Sequence, residues 1–309
     1  MKTLPPVSIF ITTHLDSAER GRVLKTTCEN ALQLNYPDFE VVVSDNAGAY
    51  SAEQALAEIT DPRLSIIRND ENLGQTGNTN LCLDRCKHDI IKVNCDDDLL
   101  HPDCLMLTVP FVDDETYVIT EVGKYIIGTI PPELSEPFPE KLDIEKRPPG
   151  YGQDIWEPSH IALPGCCLFS RELFSSLGKY DPDTALPDYD FMLEARLHRN
   201  VVFIKNTMCY MGVWDSSITQ MMRQSRPYFF ITGELYTKFR FLKRKQLGFK
   251  NKLGLQFKLC RQFLWESMRV PRHFTQKKYW AGYADYINHL FKYAVKPRAD
   301  YDFRSDFEG

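Results

Sequence analysis

The stretch Val93–Asp103, VNCDDDLLHPD, places three adjacent carboxylates, Asp96 to Asp98, two residues after the apolar run Ile90–Val93. Adjacent like charges repel, and carboxylates beside an apolar strand lose hydration, so the arrangement costs folding free energy. Carboxylates at the end of a parallel strand are good ligands for Mg²⁺ or Mn²⁺, which take oxygen donors and share their shell with substrate phosphates. The alternative is a helix start, with Pro102 at its first position and acids favoured by the helix dipole. A helix start explains one or two acids but not three that follow an apolar run, so we favour the metal site.

Apolar, β-branched segments alternate with helical segments over the first hundred residues. The four predicted strands are Val7–Thr12, Phe39–Val43, Leu64–Arg68 and Ile90–Val93. Ser17 is expected to cap the first helix, and the alternation predicts a parallel sheet with helices on both faces. Ligands bind such sheets beyond the carboxyl ends of the strands. The polar residues expected to converge there are Thr12, Thr13, Asp45, Asn46, Arg68, Asn69 and Asp96 to Asp98.

The pattern changes after the acid triplet. Thr116–Ile119 and Lys124–Ile127 predict a β-meander. Pro131–Pro158 is rich in proline and charge and predicts a long loop, of the kind that is usually functional or mobile. Further strands are expected over Val201–Trp214. The sequence then becomes basic and aromatic with helical spacing, so we expect a separate, mostly helical region over residues 217–309.

The net charge of −5 hides a strong asymmetry along the chain. Between Thr219 and Arg298 there are 18 Lys and Arg against three acids, so the rest of the chain is strongly acidic. A basic amphipathic region suits an anionic membrane surface. Packing on the acidic part of the chain and homodimer formation are the alternatives, and no motif accompanies the charge that would indicate nucleic-acid binding. Nine scattered cysteines, with no signal peptide and no long apolar run, favour a cytoplasmic protein at or near the inner face of the membrane.

Six segments, in order and at a characteristic spacing, resemble the family 2 inverting glycosyltransferases of the GT-A fold. They are VSIFITTHLD, FEVVVSDNAG, RNDENLGQTGN, VNCDDDLLHPDCL, PGCCLFSRELFSSLGKYDPD and LPDYDFMLEARLH, within about residues 5–215. The resemblance implies an α/β fold with a Rossmann-like, mostly parallel central sheet in a catalytic domain over residues 1–216. The nucleotide-sugar half is expected at about residues 1–103 and the acceptor half at about 104–216.

The resemblance also implies a nucleotide-sugar donor, with a UDP-sugar as the first candidate, and a Mn²⁺ or Mg²⁺ ion. Asp96 and Asp98 are expected to form the DxD pair that contacts the ribose and the diphosphate-bound metal, with Asp97 sharing that role. The other expected donor-binding residues are Thr12, Thr13, His14, Asp45, Arg68, Asn72, Gly74 and Asn78. From the residues alone, an Asx-turn at the strand end is an alternative role for Asp45.

In the motif LPDYD, Asp188 matches the family's general base, although Pro187 stands where the family usually has Glu. A base of this kind deprotonates the acceptor hydroxyl, and the one-step displacement inverts the anomeric carbon. Asp190 is the competing candidate and a weaker one for acceptor binding. The family often has a metal-binding His after the last strand, where this chain has Trp214 and Asp215. Asp215, water or a substrate oxygen replaces that ligand, or metal dependence is weaker; Trp214 is also a candidate to stack on an acceptor sugar.

The expected function is transfer of a sugar from a nucleotide-diphosphate donor to a glycan or lipid-linked acceptor in bacterial envelope polysaccharide synthesis. The alternative is a non-catalytic nucleotide-sugar-binding or scaffold protein of the same fold, which Pro187 and the missing His would favour. The identity of the sugar and of the acceptor depends on loops whose geometry the sequence does not give.

Overall fold

The structure is a computed structural model. It describes residues 4–135, 141–150, 164–184, 186–214 and 217, together with 233–234, 237–238, 240–241, 244–245, 253–254 and 257. The predicted loop Pro131–Pro158 lies partly outside the described residues, and Asp215 and most of residues 217–309 also lie outside them. Within the described part of that loop, Ile144–Arg147 form a strand, so the predicted loop is wrong there. The predictions for the segments outside the described residues stay predictions.

The chain forms two compact units. The first comprises Met1–Asp154, Pro158–Pro182 and Phe191–Trp214, and the second comprises Ile155–Glu157, Asp183–Asp190 and Asp215–Gly309. The domain boundary expected near residue 216 stays a prediction.

The first four strands of the first unit are parallel, as the sequence predicts. β1 (Val7–Thr13) lies between β2 (Phe39–Asp45) and β4 (Ile90–Cys95), and β3 (Leu64–Arg68) pairs with the other side of β2. The connecting helices are α1 (Ala18–Leu32), α2 (Ala52–Ala55) and α3 (Gly74–Arg85). Every residue of β2 is buried, and its apolar centre, Val41–Val43, suits a parallel strand that is covered on both faces.

The sheet becomes mixed beyond β4. The remaining strands are β5 (Leu99–Leu100), β6 (Thr116–Ile126), β7 (Ile144–Arg147), β8 (Cys167–Ser170) and β9 (Asn200–Val213), and the remaining helices are α4 (Cys104–Thr108), α5 (Arg171–Ser176) and α6 (Pro187–His198). Among the described residues the strand order is β3-β2-β1-β4-β8-β6-β9-β5, with β7 beside β9. β8 is antiparallel to β4 and β6, whereas β6 and β9 are parallel. A central sheet flanked by helices is thus confirmed.

The β-meander predicted from Thr116–Ile119 and Lys124–Ile127 is wrong. Thr116–Ile119 and Lys124–Ile126 belong to one strand, β6, which runs parallel to β9 and has register shifts at Glu121 instead of a turn. Gly123 fits the strand because a Cβ there would lie 2.7 Å from the ring of Tyr210 on β9. This glycine therefore permits close packing of two strands, as glycines within strands often do.

No helix in the described part of the chain combines the length and the apolar character needed to cross a membrane.

Candidate functional site

The polar residues at the strand ends meet at one edge of the sheet. Thr13 lies opposite Asp45 in the parallel register, and Asp45 lies opposite Arg68. Thr12 lies opposite Cys95, which immediately precedes the acid triplet. The triplet therefore lies at the carboxyl edge of the parallel strands, the usual place for a ligand in such sheets.

The carboxylate of Asp96 contacts β1 and α1. Its Oδ2 accepts a hydrogen bond from the Thr13 hydroxyl at 2.5 Å and lies 3.7 Å from a guanidinium nitrogen of Arg20. Its backbone carbonyl accepts a hydrogen bond from Thr27 of α1 at 3.1 Å. Burial raises the pKa of Asp96, and the charge of Arg20 and the Thr13 hydroxyl oppose that change. Asp96 is thus held in place, and part of its charge is balanced.

Asp97 contacts a different part of the first unit. Its Oδ2 accepts a hydrogen bond from the indole Nε1 of Trp214 at 3.1 Å, just after β9, and its backbone carbonyl accepts one from the Tyr125 hydroxyl at 2.9 Å. Burial, together with the charges of Asp96 and Asp98, raises the pKa of Asp97 to about 8. A cation beside this carboxyl group would stabilise its ionised form and lower its pKa.

Asp98 is the most deeply enclosed of the three acids, with 4% of its surface exposed. Its Oδ1 accepts a hydrogen bond from the Gly212 amide at 3.3 Å, and its Oδ2 lies 3.9 Å from the Cys209 thiol, both on β9. A Cβ at Gly165 would lie 2.5 Å from the same carboxylate. Burial raises the pKa of Asp98 to about 6, although the Gly212 amide and the charge of buried Lys92 oppose that change. Asp98 therefore contacts β9, whereas Asp96 contacts β1 and α1.

Arg20 is a site residue that the sequence analysis missed. It lies in the first turn of α1, whose N-cap Ser17 accepts a hydrogen bond from the Arg20 amide at 3.4 Å. Its guanidinium carbon lies 5.4 Å from the centre of the Trp214 ring, so one side chain links the partners of Asp96 and Asp97. A cation in the first turn of a helix is disfavoured by the helix dipole. That mismatch was the signal in the sequence that anions lie nearby.

Asp45 has a full set of partners within the protein. Its carboxylate accepts hydrogen bonds from the amides of Ala52 at 2.9 Å and Gly48 at 3.4 Å, and from Arg68 at 2.5 Å. The side chain is 0% exposed. Asp45 thus orders the loop between β2 and α2 and fixes Arg68, as the turn alternative supposed. Its contact with the donor stays a prediction.

Asparagines connect the ends of β2 and β3 to the start of α3. Asn46 accepts hydrogen bonds from the Leu73 amide at 2.9 Å and from Asn69 at 3.3 Å, and it donates one to Asn72 at 2.7 Å. Buried Asn78 accepts from Asn69 at 2.8 Å. This network fixes the loop before α3, so Asn78 has a structural role whatever the donor contacts are.

The remaining members of the predicted donor site are exposed or half-buried. Gly74 has a positive φ of 68°, which suits glycine, and its amide donates a hydrogen bond to the exposed Asn72 at 2.9 Å. His14 is exposed, with its ring Nδ1 3.0 Å from the Asn46 carbonyl oxygen. Thr12 is half-buried at the end of β1. Their roles toward a donor stay predictions.

The two candidate bases, Asp188 and Asp190, lie in the first turn of α6 and differ in their partners. Both carboxylate oxygens of buried Asp190 lie 3.1 Å from one guanidinium nitrogen of Arg244. Asp188 is half-buried, and its Oδ1 accepts a hydrogen bond from the Tyr189 amide at 2.8 Å. Burial raises the pKa of Asp188 to about 6. Asp190 is therefore paired with a cation, whereas Asp188 has a pKa close to neutral pH.

Comparison with known proteins connects this arrangement to a family. The model of the family described as glycosyl transferase family 2 matches residues 8–178, which is more than half of the chain. The chain belongs to glycosyl transferase family 2. No curated protein matches the sequence.

Solved structures share the fold of this family member at low sequence identity. TarS 1–349 from S. aureus, in complex with UDP-GlcNAc, is 12% identical, with a TM-score of 0.64 over 94% of this chain and 81% of the TarS chain. The mannosyltransferase PcManGT from Pyrobaculum calidifontis, in complex with GDP-Man and Mn²⁺, is 16% identical, with a TM-score of 0.55 over 97% of this chain and 89% of that chain. These likenesses establish the GT-A fold.

The acid triplet fits a divalent cation that protein and substrate hold together. Among the residues that the structure describes, no group of three or more His, Cys, Asp or Glu side chains could hold an ion alone. Ions such as Mg²⁺ usually bind through one or two carboxylates together with phosphates and water. Asp96 and Asp97 are half-buried and carry carboxylate oxygens that can bind a cation. Burial first, and then the charges of Asp96 and Asp98, raise the pKa of Asp97, and a bound cation would stabilise its ionised form.

A cavity of about 490 Å³ lies at the amino-terminal ends of β6 and β9. Its lining includes Phe111, Asp113, Lys146 and Arg147. It shares no residue with the acid triplet or with the strand ends that surround it.

Proposed function

We propose that this glycosyltransferase acts by inversion on a nucleotide-diphosphate sugar, with Asp96 and Asp97 at the diphosphate and Asp188 as general base. The observation that carries the proposal is the acid triplet at the carboxyl end of β4, with Thr13 and Arg20 against its first carboxylate. The UDP-GlcNAc bound by TarS and the GDP-Man bound by PcManGT support a nucleotide-sugar donor, with a UDP-sugar as the first candidate.

The geometry favours Asp97 over Asp98 as the second ligand of the cation. Asp98 is buried, and its carboxylate is engaged by the Gly212 amide of β9. Asp96 and Asp97 are less enclosed. We therefore revise the ligand pair expected from the sequence, Asp96 with Asp98, to Asp96 with Asp97. Asp98 is then the residue that fixes the turn on which both ligands lie.

The residues around the triplet prepare it for an anionic leaving group. A Mn²⁺ or Mg²⁺ ion, when bound, would supply Lewis-acid stabilisation of the departing diphosphate. Thr13 orients Asp96, and Trp214 orients Asp97. Carboxylates that are held in position before the donor arrives lose less conformational freedom on binding, which favours catalysis.

Asp188 is the stronger of the two candidate bases for a physical reason. A general base works best with a pKa near the working pH, and burial raises the pKa of Asp188 to about 6. The pairing of Asp190 with Arg244 stabilises its charged form and makes it a poor proton acceptor. We propose that Asp188 takes the proton from the acceptor hydroxyl as that oxygen attacks the anomeric carbon.

Pro187 does not argue against catalysis. It is the first residue of α6, where proline is favoured because its fixed φ suits a helix and its missing N–H would have no partner within the helix. Its presence in place of the family's usual Glu is thus explained by the start of the helix.

The identity of the acceptor is also a proposal. A glycan or lipid-linked glycan in bacterial envelope polysaccharide synthesis is the acceptor that the sequence analysis favours. Asp190 and Trp214 are engaged with Arg244 and Asp97, so we do not assign them acceptor contacts. We also propose homodimer formation or peripheral contact with an anionic membrane, which rest on the basic region, most of it outside the described residues. The proposed cytoplasmic location rests on the scattered cysteines.

The test uses the purified full chain with a panel of UDP-sugars and GDP-mannose, with and without Mn²⁺, and with glycan and lipid-linked acceptors. We expect acceptor-dependent release of the nucleotide diphosphate from one donor. Asp96→Asn should lose donor binding, whereas Asp188→Asn should bind donor and fail to transfer. Donor binding without turnover on any acceptor would favour the non-catalytic alternative. Absence of binding to every nucleotide sugar would contradict the proposal.

A further inference from the structure

Arg20 is a buried cation inside the acid cluster. Its residue is 8% exposed, and its guanidinium lies 3.7 Å from Asp96 and over the ring of Trp214, whose indole donates to Asp97. An arginine in this position loses most of its hydration, so it depends on the neighbouring carboxylates for compensation. Without ligands, Arg20 is therefore the counter-ion of the acid cluster.

The same position brings Arg20 into competition with a divalent cation. An ion bound to Asp96 would lie within a few ångströms of the guanidinium, and two cations at that distance in a partly buried site repel each other strongly. A nucleotide diphosphate changes this balance. Its oxygens can accept paired hydrogen bonds from a guanidinium, a geometry that suits arginine better than lysine.

We infer that Arg20 makes binding of the divalent cation depend on the donor's diphosphate, and this inference rests on the proposed function. In the free protein Arg20 neutralises Asp96 and weakens cation binding. When the diphosphate binds, the guanidinium pairs with phosphate oxygens and leaves Asp96 and Asp97 to the cation. Because such coupling is reciprocal, the cation strengthens diphosphate binding by the same factor.

The test measures Mn²⁺ binding to the full chain by electron paramagnetic resonance of the free ion, with and without UDP. For Arg20→Met we expect Mn²⁺ alone to bind at least about tenfold more tightly than to the wild type, since the competing charge is gone. We also expect UDP alone to bind at least about tenfold more weakly, and the factor by which UDP strengthens Mn²⁺ binding to fall. Arg22→Met is the matched control, because Arg22 is exposed on the same helix and its loss should change neither affinity.

Arg20→Lys separates charge from hydrogen-bond geometry and serves if Arg20→Met does not fold. It should keep the wild-type affinity for Mn²⁺ alone and bind UDP more weakly. The inference is overturned if Arg20→Met binds Mn²⁺ alone no more tightly than the wild type, or if Arg20→Lys binds UDP as well as the wild type. Failure of the proposed function looks different: the wild type would then bind neither UDP nor GDP, with or without Mn²⁺.

Discussion

Asp188→Asn should make the protein more stable and inactive, and the stabilisation should depend on pH. Asparagine has nearly the same shape as aspartate, and its side-chain oxygen can still accept the hydrogen bond from the Tyr189 amide. The substitution therefore removes the charge with little change in packing. This separates the cost of burying the carboxylate from the rest of its role.

The magnitude follows from the pKa. The carboxyl group has a pKa of about 6 in the folded chain against an ordinary value of 3.8. A difference of about two units corresponds to about 3 kcal/mol, and partial exposure of Asp188 reduces it to about 1–3 kcal/mol. Between pH 4 and 6 the folded chain holds a proton that the unfolded chain has released. Wild-type stability therefore falls as pH rises through this window, and the variant escapes the loss.

Urea unfolding at pH 4 and pH 8 measures the effect, together with transfer assays across pH. At pH 8 the variant should gain about 1–3 kcal/mol in the free energy of unfolding, and at pH 4 the gain should nearly vanish. The variant should lose transfer by about 10²–10⁴-fold with little change in donor affinity, and the wild-type rate should fall as pH drops through about 6. A gain of equal size at both pH values would refute the burial argument. A wild-type rate that stays constant from pH 5 to 8 would refute the assignment of the base.

Two further predictions concern the partners of the other acids. Arg244→Met should remove the guanidinium that pairs with buried Asp190 and lower the free energy of unfolding in urea by about 2–4 kcal/mol. Adding Asp190→Asn should recover most of that loss, and no recovery would mean that the broken ion pair is not the cause of the destabilisation. Gly165→Ala should place a methyl group against Asp98, lower the free energy of unfolding in urea by about 1–3 kcal/mol and weaken UDP binding in the presence of Mn²⁺. The control Gly77→Ala, within α3, should change the free energy of unfolding by less than about 1 kcal/mol, and equal effects of the two variants would contradict the role given to Gly165.

The strand ends could be predicted from the sequence because the signals are local. β1, β2, β3 and β4 are short apolar runs that end at polar residues, and parallel pairing of such runs brings those ends to one edge. The start of α1 at Ser17 is equally local, since one side chain caps the helix. These features do not depend on distant parts of the chain.

The features that could not be predicted depend on contacts between residues far apart in sequence. Gly123 looks like part of a turn until Tyr210 on β9 is seen to occupy the space beside it. Arg20 belongs to the site only because α1 packs beside the end of β4, more than seventy positions later in the chain. The orientation of each acid in the triplet also depends on partners from other elements, so the sequence could locate the triplet and could not say which acid faces β9.

The cost of three adjacent carboxylates is offset by dividing them among different elements. Asp96 is held by β1 and α1, Asp97 by Trp214 after β9, and Asp98 by the Gly212 amide within β9. β5 begins directly after the triplet and pairs antiparallel with β9, so β9 contacts both Asp98 and the residues that follow it. One acid can therefore be buried as an anchor while its two neighbours keep oxygens for a ligand. On this argument the third carboxylate is the structural requirement for placing the first two, and replacing Asp98 should weaken donor binding by displacing Asp96 and Asp97.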